Sequence, residues 1–132
     1  MNFYVETSAI VRTLFREQSF GEIAHKLDHA EKLITSRLSL IEVDRAIIRR
    51  NALEHLSLVH SSELKKEWRL FFSRIDIIEI SASICDQART IFADLPLRTL
   101  DAIHVATYLE IKGRFPQLQM LSVNKRIMNC LN

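Results

Sequence analysis

Glycine, proline and cysteine occur only twice each in 132 residues, and each shortage removes a class of protein. A dinucleotide-binding fingerprint needs three closely spaced glycines and a P-loop needs two beside a lysine, because only a backbone without Cβ lets its N–H groups crowd a phosphate. With Gly21 and Gly113 alone, neither motif is possible. The same shortage argues against a turn-rich all-β sandwich or barrel and for long helices. Cys85 and Cys130 match neither a zinc spacing nor a disulfide framework, and read as two reduced, part-buried thiols. A strong charge of one sign is lacking as well. Eighteen Lys plus Arg against sixteen Asp plus Glu leave +2, so any basic surface for nucleic acid has to be local. No apolar run approaches a membrane span and no leader pattern opens the chain, which gives the expectation of a cytoplasmic protein that does not touch a membrane.

What is present is the composition of an ordered globular chain, 48% hydrophobic and 26% charged, at the length of one domain. No linker, low-complexity stretch or internal repeat divides it, so residues 1–132 are expected to form a single domain.

Apolar periodicity gives the elements. Residues 2 to 6 are aromatic and β-branched and read as a short buried strand that delivers the chain to Thr7-Ser8, with Ser8 expected to cap a helix to about residue 16. A second helix follows over about 20 to 31. Leu33-Ile34-Thr35-Ser36 reads as a second strand. Residues 39 to 52 and 61 to 72 repeat apolar positions at helical spacing. Residues 75 to 80 are a β-branched run and the third strand. Ser81 caps a helix carrying Ile84, Ala88, Ile91 and Phe92 and stopped before Pro96. A long helix from Thr99 is expected to end at Gly113 and Pro116. Residues 119 to 123 form the fourth strand, and a last helix starts near Asn124. Short strands that are hydrophobic on both sides and alternate with helices predict an α/β fold, a parallel sheet covered on both faces.

In such a sheet the functional crevice lies beyond the carboxyl ends of the strands. Glu6 ends the first strand, Glu42 lies about one turn into the helix after the second, and Asp101 lies in the first turn of the Thr99 helix. Each alone has a plain explanation, since a carboxylate in a first turn is favoured there by up to about 1 kcal/mol. Gathered at one edge they repel unless something positive sits between them, which is the pattern of a site for a hard divalent cation. Mg²⁺ or Mn²⁺ on such carboxylates activates water and stabilises a phosphodiester transition state.

Four blocks carry a family resemblance: Tyr4-Val5-Glu6-Thr7-Ser8-Ala9-Ile10-Val11, Thr35-Ser36 with Leu40-Ile41-Glu42-Val43, Leu97-Arg98-Thr99-Leu100-Asp101-Ala102-Ile103-His104-Val105-Ala106-Thr107, and Leu121-Ser122-Val123-Asn124-Lys125-Arg126. In order and spacing they resemble the PIN-domain ribonucleases, and among those the VapC-like toxins of toxin-antitoxin pairs, over nearly the full chain. The third block is the most specific.

The resemblance implies a compact α/β/α sandwich and a Mg²⁺- or Mn²⁺-dependent endoribonuclease acting on single-stranded or loop RNA. It also implies a small antitoxin as partner and a homodimer as the assembly. Glu6 falls where the family usually has its first Asp, Glu42 and Asp101 match the family's acids, and Asn124 falls where a fourth acid is common. Glu6 keeps the charge and adds a methylene. Asn124 removes a charge and keeps an oxygen that contacts the metal weakly or through water.

Ser8 and Ser122 are supporting candidates, either as helix caps or as hydrogen-bond partners of the acids. His104, three residues after Asp101 on one helical face, reads first as a structural histidine bonding a neighbour. Trp68, Phe71 and Phe72 read as core or a dimer face rather than an RNA-stacking platform. Asp44 points to a different face of its helix from Glu42. Of the cations near the acids, Arg12, Lys125 and Arg126 are the candidates for RNA phosphates. Arg49 and Arg50 read as a solvated helix face. A non-catalytic PIN module that binds RNA or protein is the alternative, motivated by Glu6 and Asn124. A receiver-like signalling domain shares the fold class but lacks the strand-end Asp nucleophile it needs.

Overall fold

The computed structural model describes all 132 residues. Four strands, β1 (Asn2–Val5), β2 (Lys32–Ser36), β3 (Asp76–Ile78) and β4 (Leu118–Leu121), form one parallel sheet in the order β3-β2-β1-β4. The connecting helices are α1 (Thr7–Leu14), α2 (Phe20–Asp28), α3 (Arg37–Glu54), α4 (Leu58–Phe72), α5 (Ala82–Ala88), α6 (Thr99–Arg114) and α7 (Lys125–Leu131). This is the expected α/β sandwich. No helix is long and apolar enough to cross a membrane.

The two-residue period of the strands divides the core. On β1, Phe3 and Val5 face one side and Tyr4 the other. Phe3, Val5 and Leu33 join Ile10, Leu14, Val43, Ile47, Leu64 and Trp68 in the larger cluster, under α1, α3 and α4. Tyr4 and Ile34 pack with Tyr108 of α6 and Leu118 in the smaller cluster on the opposite face. Trp68 is buried, stacks on Phe71 at 6.2 Å between centroids, and donates from Nε1 to Asp44 Oδ1 at 2.9 Å. It is core, as its spacing predicts, and Asp44 turns away from Glu42 to meet it.

Several boundaries differ from expectation for identifiable reasons. The N-cap of α1 is Glu6 rather than Ser8: its carboxylate accepts from the Ser8 N–H, so the helix opens two residues earlier. Ser36 and Ser57 cap α3 and α4 in the same way, which lengthens both helices toward their N-termini. Helix α5 stops at Ala88, with Arg89 as its C-cap, instead of running on to Phe92; the chain continues in turns, and the left-handed backbone of Phe92 (φ 45°) bars any helix from reaching it. Gly113 does not end α6; it lies within the last turn at ordinary helical φ, and the helix stops at Phe115 ahead of Pro116. Left-handed positions fall to Arg16, Ser19, His55 and Phe92, and neither glycine is used for one. Cys85 is exposed rather than part-buried, because its neighbour Ile84 takes the inward position on α5; Cys130 is part-buried as expected.

The packing predicts a sharp contrast. Trp68→Ala should cost about 3–5 kcal/mol of folding stability through the cavity it leaves, whereas Arg49→Ala on an exposed turn of α3 should stay within about 0.5 kcal/mol, both read from urea denaturation midpoints.

Candidate active site

Every strand of a parallel sheet points its carboxyl end to the same edge, so the turns leaving β1, β2 and β4 and the N-terminus of α6 meet there. Glu6 leaves β1, Glu42 stands on α3 after β2, Asp101 opens α6 and Asn124 leaves β4. The expected residues thus share one edge, and a continuous run of hydrogen bonds links three of them. Asn124 Nδ2 donates to Asp101 Oδ1 at 2.9 Å, the Asn124 N–H donates to Ser122 Oγ at 3.0 Å, and Ser122 Oγ donates to Glu6 Oε1 at 2.5 Å.

Glu6 is buried, 4% exposed, and a buried carboxylate must be met by donors. Ser8 Oγ and Ser122 Oγ both donate to its Oε1 at 2.5 Å, the length of a charge-assisted O–H···O⁻ bond. Each hydroxyl has one proton and spends it on Glu6, so each receives from a backbone N–H instead: Val123 to Ser8 and Asn124 to Ser122, both at 3.0 Å. Ser8 and Ser122 therefore form a cradle that fixes one oxygen of Glu6. Oε2 takes only the Ser8 N–H at 3.1 Å.

Glu42 is held differently. Its Oε1 receives Thr7 Oγ1 at 2.6 Å and lies 2.6 Å from His104 Nε2. The side chain of His104 is 2% exposed and its Nδ1 lies 2.7 Å from the hydroxyl of the fully buried Tyr4. Thr35 Oγ1 donates to Val5 O at 2.6 Å, so Ser39 Oγ gives its proton to Thr35 at 2.7 Å and is in turn 3.0 Å from Thr7 Oγ1. A buried polar seam thus joins β1, β2, α3 and α6 beneath Glu42. Desolvation, then the charges of Glu6 and Glu42, push the Tyr4 hydroxyl well above the ordinary tyrosine range, so it stays protonated.

Asp101 has the fullest set of partners. Oδ2 accepts from the Arg98 N–H at 3.0 Å, half of a capping box, and from Arg126 Nε at 2.6 Å; Oδ1 accepts from Asn124 Nδ2 and, at 3.5 Å, from Arg126 Nη2. Burial alone would raise this carboxyl, but the Arg126 guanidinium, the Arg98 N–H and the Asn124 amide outweigh it and hold Asp101 below the usual carboxylate range. Arg126 also feels the charge of Glu6. The positive group among these acids is therefore a side chain of the chain itself.

The donor set has the chemistry of a hard divalent ion: carboxylate oxygens, with the Asn124 amide beside them. No three Asp, Glu, His or Cys side chains converge on one point, and Mg²⁺ does not require it, since it keeps several waters and takes one or two carboxylates directly. The residues fit such an ion on those terms, with Glu42 Oε2 and Glu6 Oε2 the least engaged oxygens.

Of the cations expected to meet RNA, Lys125 is exposed at the start of α7, Arg126 is committed to Asp101, and Arg12 donates from Nη1 to Gln18 O at 3.2 Å while its Nε is buried without a partner. Arg49 is exposed as expected, but Arg50 is not a solvated position. It is half-buried, pairs with Glu17 and Glu54 and lies 4.2 Å over the Phe15 ring, because the turn after α1 and the end of α3 cover it. His104 bonds neighbouring side chains, as expected of it, and one of them is Glu42. Tyr4, Thr7, Thr35 and Ser39 went unread as site residues. Thr7 and Thr35 stand at strand exits beside named residues, which is a usable signal; Tyr4 meets His104 across 100 positions, for which a single sequence offers none.

Comparison with known proteins agrees with this architecture. Residues 3–115 match the family model of the PIN domain. Ribonuclease VapC35 of Mycobacterium tuberculosis is 33% identical over 126 residues, 94% of this chain and 85% of that protein. Among solved structures, PAE2754 from Pyrobaculum aerophilum gives a TM-score of 0.70 at 17% identity, covering 98% of this chain and 84% of that one. A toxin-antitoxin complex from Klebsiella pneumoniae gives 0.63 at 18% identity, covering 94% and 87%. The chain belongs to the PIN-domain family. Within it, the chain is homologous to the VapC ribonuclease toxins of toxin-antitoxin systems.

Arg126→Ala removes the cation that offsets the burial of Asp101, so the Asp101 carboxyl should titrate at higher pH, as read from its ¹³C shift. A depressed carboxyl stabilises the fold above its unfolded-state pKa, and that contribution disappears as pH falls through the folded value. The acid limb of the stability profile should accordingly move to higher pH in the variant.

Proposed function

We propose that this protein is a divalent-metal-dependent endoribonuclease that cleaves single-stranded or loop RNA, and that it is the toxin of a toxin-antitoxin pair, acting in the cytoplasm with residues 1–132 as one PIN unit. The observation that carries the reading is the set of three carboxylates, Glu6, Glu42 and Asp101, on the carboxyl edge of a PIN sheet, each held by its own donors.

On this reading Glu6, Glu42 and Asp101 would hold Mg²⁺ or Mn²⁺, with Asn124 contributing weakly or through water. The ion supplies Lewis-acid charge at a phosphoryl oxygen and lowers the pKa of water. The chain's residues do the rest. Ser8 and Ser122 fix Glu6, Thr7 and His104 fix Glu42, and Lys125, Arg12 and a released Arg126 offset phosphate repulsion along the RNA. The partners are a small antitoxin, in keeping with the Klebsiella pneumoniae toxin-antitoxin complex, and a second copy of the chain. Exposed Ile41, Ile48, Leu53, Leu58, Val59 and Leu70 on α3 and α4 offer an apolar surface for one of them.

One observation favours a second reading, a PIN fold that has lost catalysis and binds RNA or protein. Both oxygens of Asp101 are engaged by Arg126 and Asn124, and Asn124 stands where the family commonly has an acid. Cleavage of a labelled single-stranded RNA in Mn²⁺, Mg²⁺ or EDTA separates the two. The nuclease reading expects metal-dependent cleavage, a fall of at least about 100-fold in Asp101→Asn, and a gain in Asn124→Asp. Silence in the wild type with activity in Asn124→Asp identifies a lapsed enzyme, and silence in both leaves the binding module.

A further inference from the structure

The three acids differ in how they are oriented, and Glu42 is the one reached from the core. Its carboxylate takes both of its protein donors on Oε1, from Thr7 and His104, and none on Oε2. A hydroxyl at 2.6 Å and an imidazole nitrogen at 2.6 Å on one oxygen fix the carboxyl plane and leave the other oxygen turned away from them. His104 is itself fixed from behind: its ring is almost fully buried, its Nδ1 meets the Tyr4 hydroxyl at 2.7 Å, and the Tyr4 ring packs edge-on to it at 6.0 Å. Tyr4 belongs to the central strand and is 0% exposed, so the far end of this chain of bonds is as immobile as any part of the molecule.

The proton placement follows from the partners. A carboxylate accepts, so the hydrogen between Glu42 and His104 is assigned to Nε2. Tyr4 keeps its proton and is assigned as the donor to Nδ1. Position also matters. His104 and Asp101 stand three residues apart on α6, so a single helix presents one acid of the site and the histidine that orients another.

We infer that His104, locked as its Nε2–H tautomer by Tyr4, is a positioning residue that holds Glu42 Oε1 so that Oε2 is presented for a cation. The inference rests on the nuclease reading for what the cation is used for, and on the bonds above for the arrangement itself. Buried partners that orient an acid in this way typically contribute 10- to 100-fold in metal affinity or activity.

The test uses the full-length protein. A ¹⁵N spectrum of labelled histidine at neutral pH should show His104 with a protonated Nε2 and an unprotonated Nδ1; an Nδ1–H tautomer overturns the inference whatever the protein does to RNA. Mn²⁺ affinity and RNA cleavage are then measured for wild type, His104→Leu, His104→Gln and Tyr4→Phe. His104→Leu should weaken Mn²⁺ binding by about 10- to 100-fold, with cleavage falling alongside. His104→Gln keeps an N–H donor and should recover part of both, and Tyr4→Phe, which releases only the tautomer lock, should lose less than His104→Leu. Folded His104→Leu with wild-type Mn²⁺ affinity overturns the inference, as does a Gln variant no better than Leu. If His104→Leu does not fold, Tyr4→Phe and His104→Gln carry the comparison, and wild-type affinity in both overturns it. Failure of the nuclease reading looks different: wild type binds Mn²⁺ with the expected dependence on His104 yet cleaves no RNA.

Discussion

Burying like charges beside one another is the constraint from which the rest of this site follows. A carboxylate taken out of water costs several kcal/mol even after relaxation, and Glu6 and Asp101 are both buried at the edge that Glu42 shares. Each is met by a different chemistry. Glu6 receives two serine hydroxyls, Glu42 a threonine and a histidine, and Asp101 an arginine, an amide and a backbone N–H. The donors come from α1, α6, α7 and the turn after β4, so the order of the chain along the sheet is what brings them to the acids. Central β1 sends Glu6, Thr7 and Ser8 outward with β2 and β4 on either side, which puts Ser39 and Glu42 to one flank and Ser122 and Asn124 to the other.

The polar residues above and the apolar residues below are parts of one arrangement. Tyr4 contributes its ring to the smaller core cluster and its hydroxyl to His104. Val5, one residue on, packs into the larger core while its carbonyl accepts from Thr35. A shift of β1 by one residue would reverse both faces at once, burying Glu6 without its serines and withdrawing Tyr4 from His104. The register that satisfies the core is the register that builds the site.

Much of this is legible in the sequence. The alternation of apolar strands with capped helices predicts the parallel sheet because burial on both faces leaves that pattern. The strand exits predict the edge at which Glu6, Glu42, Asp101 and Asn124 meet because parallel strands can only end together. What escaped was of another kind. The cap of α1 is the candidate acid Glu6 itself, and a carboxylate placed there looks in sequence like a residue that merely precedes the Thr7-Ser8 cap. Helix α5 stops at Ala88, and Phe92 beyond it takes a left-handed backbone that nothing in Ile91-Phe92-Ala93 announces. The Tyr4–His104 bond and the Arg126–Asp101 pair depend on side-chain direction at positions far apart in the chain, and residue spacing carries no information on direction across elements.

The arrangement also ranks the acids in a way their sequence motifs do not. Asp101 sits in the most specific block, yet its oxygens are the most fully engaged, and a cation approaching it competes with a guanidinium at 2.6 Å. Glu6 has one oxygen saturated by hydroxyls and one lightly held, and Glu42 has one oxygen without a protein donor. Glu42 is therefore the acid with an oxygen free of protein donors, and Asp101 the one whose two oxygens are both engaged. Replacing an acid by Asn124 acts in the same direction, because it removes a charge that would attract the ion and supplies an amide that donates to Asp101. Arg126 has two alternative partners of opposite function, the carboxylate it now neutralises and a phosphate it would meet once displaced. On the proposed nuclease reading, a cation held at Asp101 and a phosphodiester would favour each other, because Arg126 freed from Asp101 would gain the phosphate as a partner.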